Sequence, residues 1–299
     1  MKKTLLFEIK MDSPDGFEVY QVDADKINSI ADNVQCIDSF LQNGITYMLA
    51  FEKNTGIVRT YQAYNDDGKF LKEVAQNTVP GNTTSIAIIN SDGVQLCLAY
   101  DASLGVVNFL KIASDLSLEQ VGKLDAGTGI STLKTFVYRK QLFFIAYNIE
   151  TGHVAKYEVS VDASSSSVSA TEVRADKWAQ GWTRFSFFQM GAENFFIKTN
   201  LKYHKVNIDH FMDDADEGSH PVLNIDAPSQ MVGLNNVSAF TDSKGFPFFA
   251  TYRTNGEITF NRIYGNCLGW DVEKQLNTEP NRELVLPLTI NGENYLLIY

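Results

Sequence analysis

Asn291-Gly-Glu-Asn-Tyr-Leu-Leu-Ile-Tyr299 ends the chain on a turn signal followed by an apolar run that closes on an aromatic residue. Five earlier stretches share the form of its last part. They are Tyr47-Met-Leu-Ala-Phe51, Gln95-Leu-Cys-Leu-Ala-Tyr100, Leu142-Phe-Phe-Ile-Ala-Tyr147, Phe195-Phe-Ile-Lys-Thr199 and Phe248-Phe-Ala-Thr-Tyr252. The final residues of the six copies lie 49, 47, 52, 53 and 47 residues apart. The fourth copy carries Thr199 where the others carry an aromatic ring.

Working outward from the first copy, four strands and three turns can be read. Val34 to Leu41 forms strand one, Asn43-Gly44 a hairpin turn, and Thr46 to Phe51 strand two. Asn54-Thr-Gly56 turns into strand three, Ile57 to Tyr64, and Asn65-Asp-Asp-Gly68 into strand four, Phe70 to Ala75. Asn and Gly recur at these turns in other copies because tight turns need positive φ. A period of about 40–50 residues with four strands per unit is that of a β-propeller.

The sixth unit stops after two strands, Glu283 to Thr289 and Asn294 to Tyr299. The missing two have counterparts at the other end. Lys3 to Met11 reads as a third strand, Ser13-Pro-Asp-Gly16 as a turn, and Phe17 to Val22 as a fourth strand. The sequence therefore predicts an all-β, six-bladed propeller that forms one domain over residues 1–299. Its last blade is shared by both ends, with Tyr295 to Tyr299 paired to Thr4 to Ile9. Such pairing removes a sheet edge that would otherwise invite aggregation. Ala163 to Ala170 and Asp213 to Gly218 read as long loops between strands three and four.

Composition narrows the function. The formal net charge is −11 and no basic run exceeds two residues, which argues against nucleic acid or anionic membrane as partner. The start, Met-Lys-Lys-Thr-Leu-Leu-Phe-Glu-Ile-Lys, has too short an apolar core for a signal peptide, because Glu8 and Lys10 interrupt it. Cys36, Cys97 and Cys267 are odd in number and lack metal spacing. The expectation is an acidic, disulfide-free protein without cofactor, cytoplasmic or exported without a classical signal peptide.

Sixteen residues before each mark stand Gln35, Thr84, Ser131, Thr183, Asn236 and Glu283, all polar. Strand one of a propeller blade is innermost, so this set is expected to ring one mouth of a central channel. Glu283 is its single carboxylate, which is too few for a hard metal site. His153, His204, His210 and His220 show no chelating arrangement, and the Asp213 to Gly218 run lacks the spacing of a calcium loop. No Gly-x-Ser-x-Gly, phosphate loop or dinucleotide fingerprint occurs. Six-bladed propeller hydrolases of the gluconolactonase and paraoxonase types use an axial cation, and their acidic motifs are not found in this chain.

Lys177-Trp178-Ala-Gln-Gly181-Trp182-Thr183 joins two units. With the following hairpin it resembles the Trp-x-x-Gly-Trp-Thr repeat of propeller proteins that include fucose-binding lectins. The motif is intact once, whereas the hairpin pattern recurs in every unit. The resemblance implies a non-enzymatic binding propeller, lectin-like, for a glycan or protein ligand. Trp178, Trp182, Arg184 and Trp270 would then contact the ligand. The alternative is an enzyme of hydrolase, lyase or cyclase type, with Glu283 or Asp38 as acid or base. Desolvation could raise such a carboxylate toward neutral pH.

Overall fold

The computed structural model describes residues 4–13, 16–91, 93–162, 166–200, 202–203, 205–211, 219–226, 233–242 and 245–299. The protein is a six-bladed β-propeller, and each blade is a four-stranded antiparallel sheet. Blade 6 begins the chain with β1 (Leu5–Ser13) and β2 (Gly16–Gln21). Blade 1 holds β3 (Cys36–Gln42), β4 (Ile45–Glu52), β5 (Ile57–Tyr64) and β6 (Phe70–Thr78). Blade 2 holds β7 (Thr83–Ser91), β8 (Val94–Asp101), β9 (Val106–Ile112) and β10 (Leu118–Asp125). Blade 3 holds β11 (Thr132–Tyr138), β12 (Gln141–Tyr147), β13 (His153–Asp162) and β14 (Ser167–Lys177). Blade 4 holds β15 (Trp182–Met190), β16 (Glu193–Asn200), β17 (Lys205–Phe211) and β18 (Ser219–Asp226). Blade 5 holds β19 (Leu234–Thr241), β20 (Pro247–Arg253), β21 (Glu257–Ile263) and β22 (Trp270–Asn277). Blade 6 is completed by β23 (Val285–Ile290) and β24 (Glu293–Ile298).

Contacts group the chain into two compact units, Asp25–Gln180 and Lys2–Ala24 with Gly181–Tyr299. Blades 1 to 3 make up the first unit and blades 4 to 6 the second. The shared blade forms as the sequence predicts. In antiparallel register β1 pairs with β24 from Leu5↔Ile298 to Ile9↔Asn294. Leu6, Leu296, Leu297 and Ile298 are fully buried, so the two ends are fastened by apolar burial as well as by the backbone ladder.

The aromatic marks have a second task besides filling the core. The Tyr100 hydroxyl donates to Gly127 O (3.0 Å) and accepts from Ile130 N (3.2 Å). The Tyr252 hydroxyl does the same with Glu279 O (2.8 Å) and Arg282 N (3.0 Å). Each tyrosine thus ties down the link from strand four of its own blade to strand one of the next. Phe51 has no hydroxyl to do this.

The glycine of the turn between strands two and three is also fixed by packing. Its carbonyl accepts the N–H of the residue that follows strand four, as in Thr278 N to Gly256 O (2.8 Å) and Trp178 N to Gly152 O (2.8 Å). A Cβ on Gly256 would lie 2.2 Å from Thr278 O, so the backbones meet too closely for any side chain.

One boundary differs from the sequence reading. Ser167 to Ala170, expected in a loop, belongs to β14. Val168 is buried in the core between blades 2 and 3, and the small serines and alanines around it conceal the alternation. Asp213 to Gly218 lies outside the described residues.

Candidate functional site

Strand one of each blade packs against strand one of its neighbour within each unit, as an innermost strand should. In the first unit these are β3, β7 and β11. Cys36, Asp38 and Phe40 alternate along β3 and share a face. Phe40 is buried and stacks on Tyr47. The other two reach the backbone of β7, with Cys36 Sγ donating to Ile86 O (3.3 Å). Asp38 Oδ2 accepts from Ile88 N (2.8 Å), while Oδ1 accepts from Ser39 N (2.8 Å). From β11, the Thr135 hydroxyl donates to Ile88 O. Three inner strands are therefore stapled around one carboxylate.

Asp38 is half-buried. Loss of hydration raises its pKa above the ordinary aspartate value. The exposed Lys134 ammonium and the two backbone N–H groups pull the other way, and desolvation prevails. A carboxylate with this balance holds a proton more readily than a free one, yet a cation stands near enough to stabilise its ionised form. The same neighbourhood pushes the Cys36 thiol up, chiefly through burial, which makes Cys36 a poor nucleophile.

Glu283, the other expected acid or base, belongs to the second unit and is exposed at the start of blade 6. Its backbone N–H donates to Tyr299 O (2.9 Å), and its carbonyl accepts from Asn236 Nδ2 (3.1 Å). The rest of the polar set has a local explanation. The hydroxyls of Thr84, Ser131 and Thr183 donate to the carbonyls of Tyr100 (3.4 Å), Tyr147 (3.0 Å) and Thr199 (3.3 Å). Each of these polar residues closes the first hairpin of its own blade at the end of strand two. Gln35 N donates to Phe51 O (2.9 Å) at the corresponding place.

The tryptophan motif is used in packing. Trp178, in the first unit, leans on Tyr147 with ring centroids 5.9 Å apart. Trp182, in the second unit, is 4% exposed, which leaves its ring no surface for a ligand. Lys198 Nζ sits 4.8 Å from the Trp182 ring centroid and 2.5 Å from Asp209 Oδ2. Both members of that ion pair are buried. Burial holds the Lys198 pKa below the usual lysine value, against the pull of Asp209. Arg184 is turned to β19, where Nε donates to Asn235 O and Nη2 to Asn235 Oδ1 (3.3 Å). Trp270 meets Phe249 edge to face at 5.1 Å and lines a cavity between blades 4 and 5.

Sequence reasoning passed over Lys134, Lys198 and Asp209. A signal existed for Lys198. The residue before the mark is Ala50, Ala99 and Ala146 in the first three copies, then Lys198 and Thr251. Among the described residues no three His, Cys, Asp or Glu side chains converge to hold a metal ion. No helix is long and apolar enough to cross a membrane.

No protein-family model matches the chain, and no curated protein matches it in sequence. Solved structures do match in fold. The periplasmic gluconolactonase of Pseudomonas aeruginosa aligns at a TM-score of 0.63 and 12% identity, over 99% of this chain and 88% of that one. A putative 6-phosphogluconolactonase from Bacteroides uniformis gives 0.61 and 12%, over 99% and 89%. Its counterpart from Bacteroides fragilis gives 0.59 and 13%, over 99% and 86%. These neighbours carry enzyme names. They overturn the expectation of a non-enzymatic, lectin-like carbohydrate- or protein-binding propeller, and the packing of Trp178, Trp182 and Arg184 supplies the physical reason. The likeness itself, at 12–13% identity, is one of fold.

Proposed function

We propose that the protein is a hydrolase of the lactonase type that opens a small cyclic ester, with Asp38 as general base. The observation that carries this reading is the half-buried Asp38 carboxylate, whose pKa desolvation raises beside the Lys134 ammonium. Its fold neighbours named gluconolactonase and 6-phosphogluconolactonase support the reaction class.

The chemistry asks little of the protein. A water molecule adds to the ester carbonyl and gives its proton to Asp38. The ring C–O bond then breaks, and the proton returns to the departing alkoxide. Lys134 is suited to stabilise the oxyanion that forms on the carbonyl oxygen. Cys36, Cys97 and Cys267 are free thiols, which supports a reducing compartment such as the cytoplasm.

The test follows ring opening of δ-gluconolactone and 6-phosphogluconolactone by proton release, above the spontaneous rate. Asp38→Asn should lower kcat by about 10²–10⁴, the usual worth of a general base. Lys134→Met should lower kcat with a smaller change in KM. No acceleration by the wild-type protein, or equal rates for wild type and Asp38→Asn, would sink the proposal.

A further inference from the structure

The face of blade 5 that meets blade 4 departs from the pattern of the first unit. In blade 3 the corresponding positions are Ala146, its partner Ala155, and Tyr157, all buried in an apolar seam with blade 2. In blade 5 the same register holds Thr251, its partner Thr259, and Asn261. Replacing a tyrosine by an asparagine empties space, and a cavity of about 310 Å³ lies there, wholly within the second unit. That is within the usual range of small-molecule sites, roughly 300–1,000 Å³.

The cavity wall carries polar groups that the fold leaves unsatisfied. Thr199 is fully buried, and its hydroxyl has no partner among the described residues. Asn261 is 2% exposed and makes its hydrogen bonds through Nδ2, to Phe249 O (3.2 Å) and to Thr259 O (3.3 Å) and Oγ1 (3.1 Å). Its Oδ1 accepts none among the described residues. Nor does the half-buried Trp270 indole N–H donate to any described group, although indoles in such places usually find an acceptor. Buried polar groups without partners are uncommon, and each costs about 1–3 kcal/mol. Of the three groups on this wall the Thr199 hydroxyl is the fully buried one, and together they call for a ligand that completes them.

We propose that this cavity binds a small neutral molecule bearing a carboxamide on an aromatic ring. One carboxamide offers an N–H to Asn261 Oδ1 and a carbonyl to the Trp270 indole N–H. The Thr199 hydroxyl serves either partner. Phe249, Ile197 and Val237 supply an apolar wall for the ring. Neutrality follows from the charges present. Arg253 Nε lies 2.7 Å from Glu257 Oε1, and Gln275 Nε2 donates to Glu257 Oε2 (2.9 Å), so the pair cancels its own charge. The site is separate from the proposed role of Asp38 and stands or falls without it.

Benzamide is the probe, titrated into the full chain by calorimetry, with benzoate and toluene as controls. Saturable benzamide binding is expected, at least tenfold tighter than either control. Asn261→Tyr, which refills the space as Tyr157 does in blade 3, should abolish it. Thr199→Val should weaken binding roughly tenfold, the worth of one hydrogen bond, while raising the melting temperature, because it removes an unsatisfied hydroxyl. A merely structural Thr199 would not give that combination. Trp270→Phe keeps the ring and should also weaken binding about tenfold, which covers the case of an unfolded Asn261→Tyr. Absence of saturable benzamide binding by the wild type, equal binding of the controls, or unchanged affinity in both Thr199→Val and Trp270→Phe would overturn the proposal.

Discussion

Replacing Tyr252 by Phe removes one oxygen atom and leaves the ring where it is. That oxygen ties blade 5 to the link that leads into blade 6. It accepts from Arg282 N at 3.0 Å and donates to Glu279 O at 2.8 Å. Tyr252 is fully buried and Arg282 is 4% exposed, so water does not easily replace the lost acceptor. A buried N–H left without a partner costs about 1–3 kcal/mol, and an ordinary hydrogen bond contributes about 0.5–1.5 kcal/mol. The glutamate carbonyl lies at a more open place and belongs to the second class. Tyr252→Phe should therefore destabilise the fold by roughly 3 kcal/mol. Tyr100→Phe removes the same pair of bonds, to Gly127 O and Ile130 N, and should cost about as much. Urea titration followed by far-ultraviolet circular dichroism measures both, provided the slope of the transition is unchanged. A loss below about 0.5 kcal/mol for both variants would mean that the tyrosine hydroxyl is incidental to holding the links.

Two further outcomes are expected. Lys198→Met strips Asp209 of its ammonium inside blade 4 and should cost about 3–5 kcal/mol, whereas Lys198→Met combined with Asp209→Leu should regain most of it; urea midpoints of the two variants decide the matter. Asp38 has a folded pKa above its unfolded value, so the folded state binds the extra proton in the window that opens near pH 3.8 and extends upward. Stability from this group is greatest below that window and is lost as pH rises through the folded pKa. Comparing midpoints across pH 3.5 to 7 should show Asp38→Asn lacking that downward component (about 1.4 kcal/mol per pH unit at most); parallel curves for the two proteins would refute it.

Much of the fold is legible in the chain because a propeller repeats one local problem. Every blade needs the same turns and the same apolar strand two, so the pattern recurs at near-constant spacing. The broken sixth copy even gives the pairing of the two ends, which follows from counting strands. The polar set from Gln35 to Glu283 is equally visible, but its task is not. Side-chain hydroxyls at Thr84, Ser131 and Thr183 close hairpins locally, and polarity alone does not separate that task from ligand binding. The lectin-like motif failed for a related reason. A tryptophan stacked on a sugar and one shielded by a lysine look alike in sequence, and burial of Trp182 distinguishes them.

The sequence by itself determined the number of blades, the strands in each and the joining of the termini, because turn chemistry and strand alternation are local properties. Only the tertiary structure decided which side chains meet. Desolvation raises the Asp38 pKa against the pull of groups on β3, β7 and β11, three strands separated by roughly fifty residues each in the chain. The cavity beside Thr199 exists because Asn261 stands where another blade has a tyrosine, and its emptiness depends on what the neighbouring blade fails to fill. Desolvation and unfilled volume are sums over distant neighbours, which no stretch of sequence contains.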